Sequence, residues 1–427
     1  MEIDRSIDKS QVRKISSDLD VPLTELLLEK ISDVSSRDGV NRTLLAVCPN
    51  SLNVMKAALR SAKRANAPIK FAATLNQVDI DGGYTRWTQN DLVRKIKEES
   101  CRIGYGGPII VAVDHGGPWV KDLQTIEKWD LTRAMDWIKK SFEAAVFAGY
   151  DLIHVDATVD IHQENMRIET VVERTIELIL HTEKFRKGKR LRPISYEVGT
   201  EEVHGGLADI DTFRKFLDML KDGLAGTGLE YVWPVFIVAK VGTDLHTTTF
   251  DKDVAKETVD IARSYGSYIK GHYTDFVSNP EDYPESGMGA ANVGPEFTML
   301  EYDALSELCS LEERLYKEDR IACRSNFMEV LKKEILNSNR WQKWLLPGES
   351  DFESLSTERK EWILKTSSRY IRAHPNVRSA QFELYRNLEL NGIDAESWVL
   401  MNIEKNMDKY FRAFNLIDLN AKIKILL

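Results

Sequence analysis

The run IIVAVDHGGPW, residues 109–119, decides the fold. Its first five residues are apolar with no polar alternation, the mark of a β-strand buried on both faces, as in a parallel sheet. His115 follows where such a strand ends. Two further runs repeat the arrangement: VFIVA (235–239) precedes His246, and SYIKG (267–271) precedes His272. In a barrel of parallel strands these three imidazoles converge on the C-terminal rim, where barrel enzymes carry their catalytic groups. Three imidazoles at one rim match the ligand set of a catalytic divalent metal, zinc or another, with one coordination position left for substrate.

Outward from this run the pattern recurs. Strand candidates lie at TLLAVC (43–48), IKFAAT (69–74), IIVAV (109–113), DLIHV (151–155), PISYEV (193–198), YVWPVFIVA (231–239), SYIKG (267–271) and MGAANV (288–293). Helical patterns separate nearly all of them, one running from Thr88, its expected N-cap, to about residue 99. Eight such units predict an α/β fold, a (β/α)8 TIM barrel over residues 41–310. No P-loop is present and no GxGxxG follows a strand, which removes the main support for a dinucleotide-binding fold. Residues 1–40 read as a polar helical segment. Residues 311–427 read as a helical extension, with helices expected at 312–336, 357–373, 378–391 and in a final amphipathic stretch. Tryptophans gather in it at Trp341, Trp344 and Trp362, as in a cap packed on the barrel, a subunit interface or a lid over the site.

The chain has 427 residues, 43% hydrophobic and 29% charged, with a net charge of −9. That acidity argues against nucleic acid and against an anionic membrane surface, since no basic stripe is available to neutralise phosphates. The four cysteines form no CxxC pair and read as reduced, buried thiols of a cytoplasmic protein. The N-terminus lacks the apolar core of a signal peptide, and no stretch approaches the length of a membrane span. A homo-oligomer is expected.

Polar residues bunch at the expected strand ends. Asp114 directly precedes His115; adjacent strand residues point to opposite sides, but a turn at Gly116-Gly117 brings both to the mouth as metal ligand and acid/base, or leaves Asp114 to cap loop amides. Glu197 and the pair Glu201-Glu202 are candidate acid/base groups or a carboxylate ligand. His154 and Asp156 are placed on the floor of the site, with a hydrogen-bonded strand histidine as the plainer reading of His154. Asn76 and Gln77 offer hydrogen bonds for sugar hydroxyls or make an ordinary turn. Asn292 and Gly294 follow the last strand, where barrels often bind phosphate or substrate carbonyl oxygens.

With NQVDIDGGYT (76–85), DHGGPW (114–119), IHVDAT (153–158), YEVGTE (196–201), HYTDF (272–276) and NVGPEFT (292–298), the chain resembles the GatZ/KbaZ-like family of class II tagatose-bisphosphate aldolase subunits. The resemblance runs from about residue 40 to 310, with weaker matches at WQKW and SSRYIR in the tail. It implies a zinc-dependent TIM barrel, zinc held by His115, His246 and His272, and Asp114 as acid/base on the C4 hydroxyl of a ketose. It places Glu197 near the metal and Asn292 against the dihydroxyacetone part of the substrate. It further implies either a C4 epimerase or aldolase acting on a ketose or ketose phosphate of the tagatose/fructose series, or a non-catalytic subunit that stabilises a separate catalytic aldolase chain. One departure stands out. Class II aldolases continue the last zinc histidine into a glycine-rich phosphate loop, whereas here His272 is followed by Tyr273, Thr274 and Asp275, and the Asp275 carboxylate would repel a phosphate.

Overall fold

A computed structural model describes residues 7–163, 166–199, 209–243 and 249–427. Eight parallel strands close into a barrel in sequence order: β1 Leu44–Val47, β2 Ile69–Thr74, β3 Ile109–Gly116, β4 Leu152–Val155, β5 Ser195–Gly199, β6 Phe236–Val238, β7 Tyr268–Gly271 and β8 Ala290–Val293. Each pairs with the next, and β8 pairs back onto β1. Every strand overlaps one of the eight apolar runs. The intervening helices start and stop on local chemistry. The helix Gln89–Ile103 opens with a capping box between Thr88 and Asp91, and ends at Gly104 in the left-handed region. Among the described residues no helix is long and apolar enough to cross a membrane.

The N-terminal helices Gln11–Leu19 and Leu23–Asp38 precede β1. Their anchor is Arg13, which is buried and ion-paired to Asp8 at 2.8 Å and to Asp151 at 2.8 Å. It also donates to the carbonyl of Ile109 at 2.5 Å, at the start of β3. The segment is therefore pinned to the end of the barrel opposite the rim.

Beyond β8 the chain is helical. The helix Pro295–Lys317 spans position 310, and Phe327–Asn337, Thr357–Ser367, Pro375–Glu389 and Ala395–Ala413 follow. The single helix expected over 312–336 is in fact two. The buried Glu312 carboxylate folds the chain back between them, accepting the Ser325 N–H at 2.9 Å, the Ser325 hydroxyl at 2.7 Å and the Asn387 amide at 2.7 Å. The last long helix returns to the barrel wall, where Glu404 pairs with Arg60 at 2.6 Å and Arg64 at 2.8 Å. All four cysteines are free, but the expectation of burial fails for Cys101 and Cys323, which are exposed.

Replacing Arg13 by Met leaves Asp8 buried without its cationic partner and Asp151 with Arg192 alone, and should lower unfolding free energy by about 3–5 kcal/mol. Burial raises the Asp151 pKa, but Arg13 and Arg192 outweigh it and hold the carboxyl below its ordinary value. That stabilisation is complete above the unfolded Asp pKa of about 3.9 and is lost as pH falls through the lower folded value. Urea titrations should therefore show the wild-type advantage at pH 7 and its shrinkage below about pH 4.

Candidate active site

The rim is organised by a bulge at the end of β3. Between Val113 and Gly116, β3 advances three residues while β4 advances two, from Ile153 to Val155. The extra residue lets neighbours face the same side. His115 adopts a left-handed φ of 48°, and its backbone N–H donates to His154 Nδ1 at 3.1 Å. This bulge, rather than a turn at Gly116-Gly117, brings Asp114 and His115 together. The glycines serve close approach: a Cβ on Gly117 would stand 1.4 Å from the Asp156 carbonyl oxygen, and one on Gly116 would meet the Phe142 ring at 2.4 Å.

Asp114, His115, His154 and His272 form one cluster, each offering a ligand atom within 4.8 Å of the others. The His115 and His272 ring centroids are 4.3 Å apart and those of His115 and His154 are 5.0 Å apart. His115 Nδ1 donates to Asp156 Oδ2 at 2.6 Å. Asp156 is held in turn by Thr158, whose backbone N–H donates to it at 3.2 Å.

Two lysines hidden in apolar strand runs lie against this cluster. Lys70 of β2 reaches Glu197 at 2.9 Å. Lys270 of β7 contacts Glu197 and reaches Asp114 Oδ1 at 2.9 Å. Asn292 donates to Asp114 Oδ2 at 3.0 Å, and His154 Nδ1 lies 3.2 Å from Glu197 Oε1. Burial opposes charge on Asp114, but Lys270, His115, His154 and His272 outweigh it and hold the carboxyl well below the usual range. Glu197 is likewise held ionised against burial by Lys270 and Lys70. Burial, aided by Lys270 and His115, pushes His272 down to about 3, so its imidazole is neutral near pH 7. Burial also lowers Lys70 to about 8.

Above the cluster opens a cavity of about 180 Å³. Asp114, His115, His272 and Asn292 line it; His154, Asp156 and Glu197 stand behind them. Asn76 and Gln77 also line it, with their amides already engaged. Asn76 bonds the Val120 carbonyl at 3.1 Å and the Asp122 N–H at 2.9 Å, and Gln77 accepts the Thr74 N–H at 2.7 Å and donates to Asn50. Gly294 is present too, but its N–H goes to Asp275 Oδ1 at 2.9 Å, as does the Glu296 N–H at 2.7 Å. Asp275 thus fills the amide site after β8 that was assigned to substrate. Burial and Glu296 push its pKa to about 7. Glu202 and His246 lie outside the described residues.

Several lining groups escaped sequence reasoning. Asn50 faces the cavity with Nδ2 unpartnered, and Lys343, Trp344, Arg369 and Tyr370 of the tail form one wall. Lys343 and Trp344 fall in the weakly matching WQKW stretch, Trp344 also within the tryptophan group read as a cap, interface or lid, and Arg369 and Tyr370 fall in SSRYIR. Lys70 and Lys270 were also detectable, as charges inside runs that read as fully buried strands.

The donor set fits a divalent ion. His272 Nε2 is buried without a hydrogen-bond partner, an arrangement that costs free energy unless something fills it; His154 Nε2 is equally unpartnered, but with Nδ1 accepting the His115 N–H it carries the proton of the neutral ring. His115 donates its second ring nitrogen to a carboxylate, the usual support of a metal-bound imidazole. Neutral His272 leaves a lone pair available for a ligand bond.

The architecture is that of a TIM barrel, and this fold recurs in solved structures. A probable tagatose 6 phosphate kinase from Sinorhizobium meliloti 1021 superposes with a TM-score of 0.73 at 21% identity, covering 87% of this chain and all of the other. Fructose-bisphosphate aldolase from Campylobacter jejuni superposes at 0.54 with 11% identity, covering 92% and 95%. The chain belongs to the GatZ/KbaZ-like family: the model of the D-tagatose-1,6-bisphosphate aldolase subunit GatZ/KbaZ-like matches residues 28–414. Relatives include the D-tagatose-1,6-bisphosphate aldolase subunit GatZ of Klebsiella oxytoca, 26% identical over 84% of this chain and 88% of that one. The GatZ of Klebsiella pneumoniae subsp. pneumoniae is 25% identical over 90% and 92%.

A Gly117→Ala substitution would push the Asp156 carbonyl aside and with it the carboxylate that orients His115. Disturbing such a support weakens metal binding by about 10–100-fold. Zinc titration of the folded variant should show that loss, while Gly106→Ala, where a Cβ meets nothing within 4 Å, should leave it unchanged.

Proposed function

We propose that this chain is a divalent-metal-dependent enzyme that acts on a ketose or ketose phosphate of the tagatose/fructose series by retro-aldol chemistry, as a C4 epimerase or an aldolase. The observation that carries the reading is the rim cluster of Asp114, His115, His154 and His272 with its two orphaned imidazole nitrogens. The names of the family and its relatives, which specify aldolase subunits, support the same substrate class.

Ligands for the ion come from His115 and His272, together with His154 or the sequence-assigned His246. A bound zinc would polarise the C2 carbonyl of the sugar and stabilise negative charge that develops as the C3–C4 bond breaks. Asp114, ionised and facing the cavity, takes the C4 hydroxyl proton as that bond breaks and returns it when the bond re-forms. Lys270 and Asn292 hold Asp114 in place for this transfer. Glu197 fixes Lys270 and His154 from behind rather than meeting substrate. Trp344 and Tyr370 close one side of the cavity, which limits water around the cleaved aldehyde. For epimerisation the aldehyde turns its other face before the bond re-forms; for the aldolase outcome it leaves, and the proton taken from the C4 hydroxyl is delivered to C3 of the enediolate to complete the dihydroxyacetone-type fragment.

The relatives' description as subunits favours a second reading, a non-catalytic chain that stabilises a separate catalytic aldolase. Co-expression with such a partner separates the two: activity that needs only the partner's metal site belongs to this second reading.

Carbon-13 NMR with fructose, tagatose and their phosphates tests the catalytic reading on the isolated chain. C4 inversion or a dihydroxyacetone-type fragment is expected, and neither product with any hexulose would sink it. His272→Ala should reduce turnover by at least about 100-fold, since a direct ligand matters more than its support. Comparing His154→Ala with His246→Ala then tells which histidine completes the set, because only the true ligand should cost both metal and turnover.

A further inference from the structure

Arg369 is the unexplained charge of this site. It lies in the short turn Ser368–Tyr370 of the tail, lines the rim cavity and is 7% exposed. Its Nη2 donates to the Tyr370 hydroxyl at 3.2 Å, while Nη1 is buried with no hydrogen-bond partner. Among the described residues no carboxylate stands within ion-pair distance of it. The guanidinium is instead packed 5.2 Å from the Trp344 ring centre and 5.0 Å from that of Tyr370. Among the described residues every other arginine buried to this degree is paired: Arg13 with Asp8 and Asp151, Arg42 with Asp38, Arg174 with Asp160 and Arg372 with Glu301.

A buried guanidinium without an anion is expensive, and a fold that keeps one preorganised between aromatic faces leaves room for an anion from outside. Lys343 lines the same cavity. It is exposed, lies 3.4 Å from Asp122 and packs over the Trp344 and Tyr370 rings of the same wall, 5.1 and 4.7 Å from their centres, so its ammonium is already at the cavity. The alternative anion site, the amides at the start of the helix Pro295–Lys317, is already taken by Asp275.

We propose that Arg369 and Lys343 of the helical tail form the binding subsite for one phosphate monoester on the sugar, replacing the missing glycine-rich loop after His272. Two cations suit a dianion, and the planar fork of arginine suits phosphate oxygens. With Asp275 occupying the other anion site, the substrate class narrows to a ketose monophosphate. That last step rests on the retro-aldol reading; the phosphate subsite itself does not.

Calorimetric titration of the full chain with inorganic phosphate, then with fructose 6-phosphate and fructose, tests the proposal. The wild type should bind phosphate and prefer the ester over the free sugar. Arg369→Met should weaken both phosphate and ester by about tenfold or more, and Lys343→Met by about threefold, with binding of free fructose unchanged. Lys343 is exposed, so its variant decides the matter if Arg369→Met fails to fold. Phosphate affinity that is absent from the wild type, or that survives Lys343→Met and a folded Arg369→Met, overturns the subsite, as does tighter binding of a hexuronate than of the ester. Arg369-dependent phosphate binding without turnover of any ketose would leave the subsite standing and remove the retro-aldol reading alone.

Discussion

The structure turns on a charge network closed across the inside of the barrel. Lys70, Glu197, Lys270 and Asp114 come from β2, β5, β7 and β3, and none is appreciably exposed. Barrel interiors are ordinarily filled by branched apolar residues. Placing two ammonium and two carboxylate groups there is tolerable only if each satisfies another, because a single unpaired member would bear the full desolvation penalty. The network therefore ties four strands to one another and fixes the floor on which the rim histidines stand. It also fixes protonation: both carboxylates are held ionised by the lysines buried beside them.

On that floor, one extra residue in β3 sets the geometry of the rim. The bulge turns His115 toward Asp114, and its backbone N–H seats His154. Asp156 then fixes the His115 ring from β4's end, while Asn292 steadies Asp114 from β8. Side chains from β3, β4, β7 and β8 thus converge on a region a few ångströms wide, with two imidazole nitrogens left unsatisfied. A barrel supplies rigid strand ends, and the chemistry follows from what those ends carry.

The fold was legible because its determinants are local. Each strand is a short apolar run and each helix has its own start and stop signals, such as the Thr88–Asp91 capping box. The rim histidines His115 and His272 were legible for the same reason, since each follows a run. His154 was placed on the floor, yet its grouping with Asp114 depends on the bulge, which no periodicity announces. Lys70 and Lys270 hid inside runs whose apolar neighbours dominated the pattern. Asn76, Gln77 and Gly294 were found at the cavity, but their polar groups are consumed by Asp122, Thr74 and Asp275, pairings between segments that sequence spacing does not encode. Arg369 and Trp344 lie far along the chain from β8 and reach the site only because the helical tail folds back over the rim. Of the tryptophans gathered in the tail, Trp344 forms part of the cavity wall.

The function proposed above requires the rim cluster to hold a divalent ion through imidazole nitrogen. X-ray absorption spectroscopy on the purified chain, loaded with one equivalent of zinc and freed of excess by gel filtration, tests it most directly. Retained zinc with imidazole scattering at about 2.0–2.1 Å is expected, diminished in His272→Ala. A chain that retains no zinc, or a retained ion whose spectrum shows no imidazole and does not change in that variant, would contradict it.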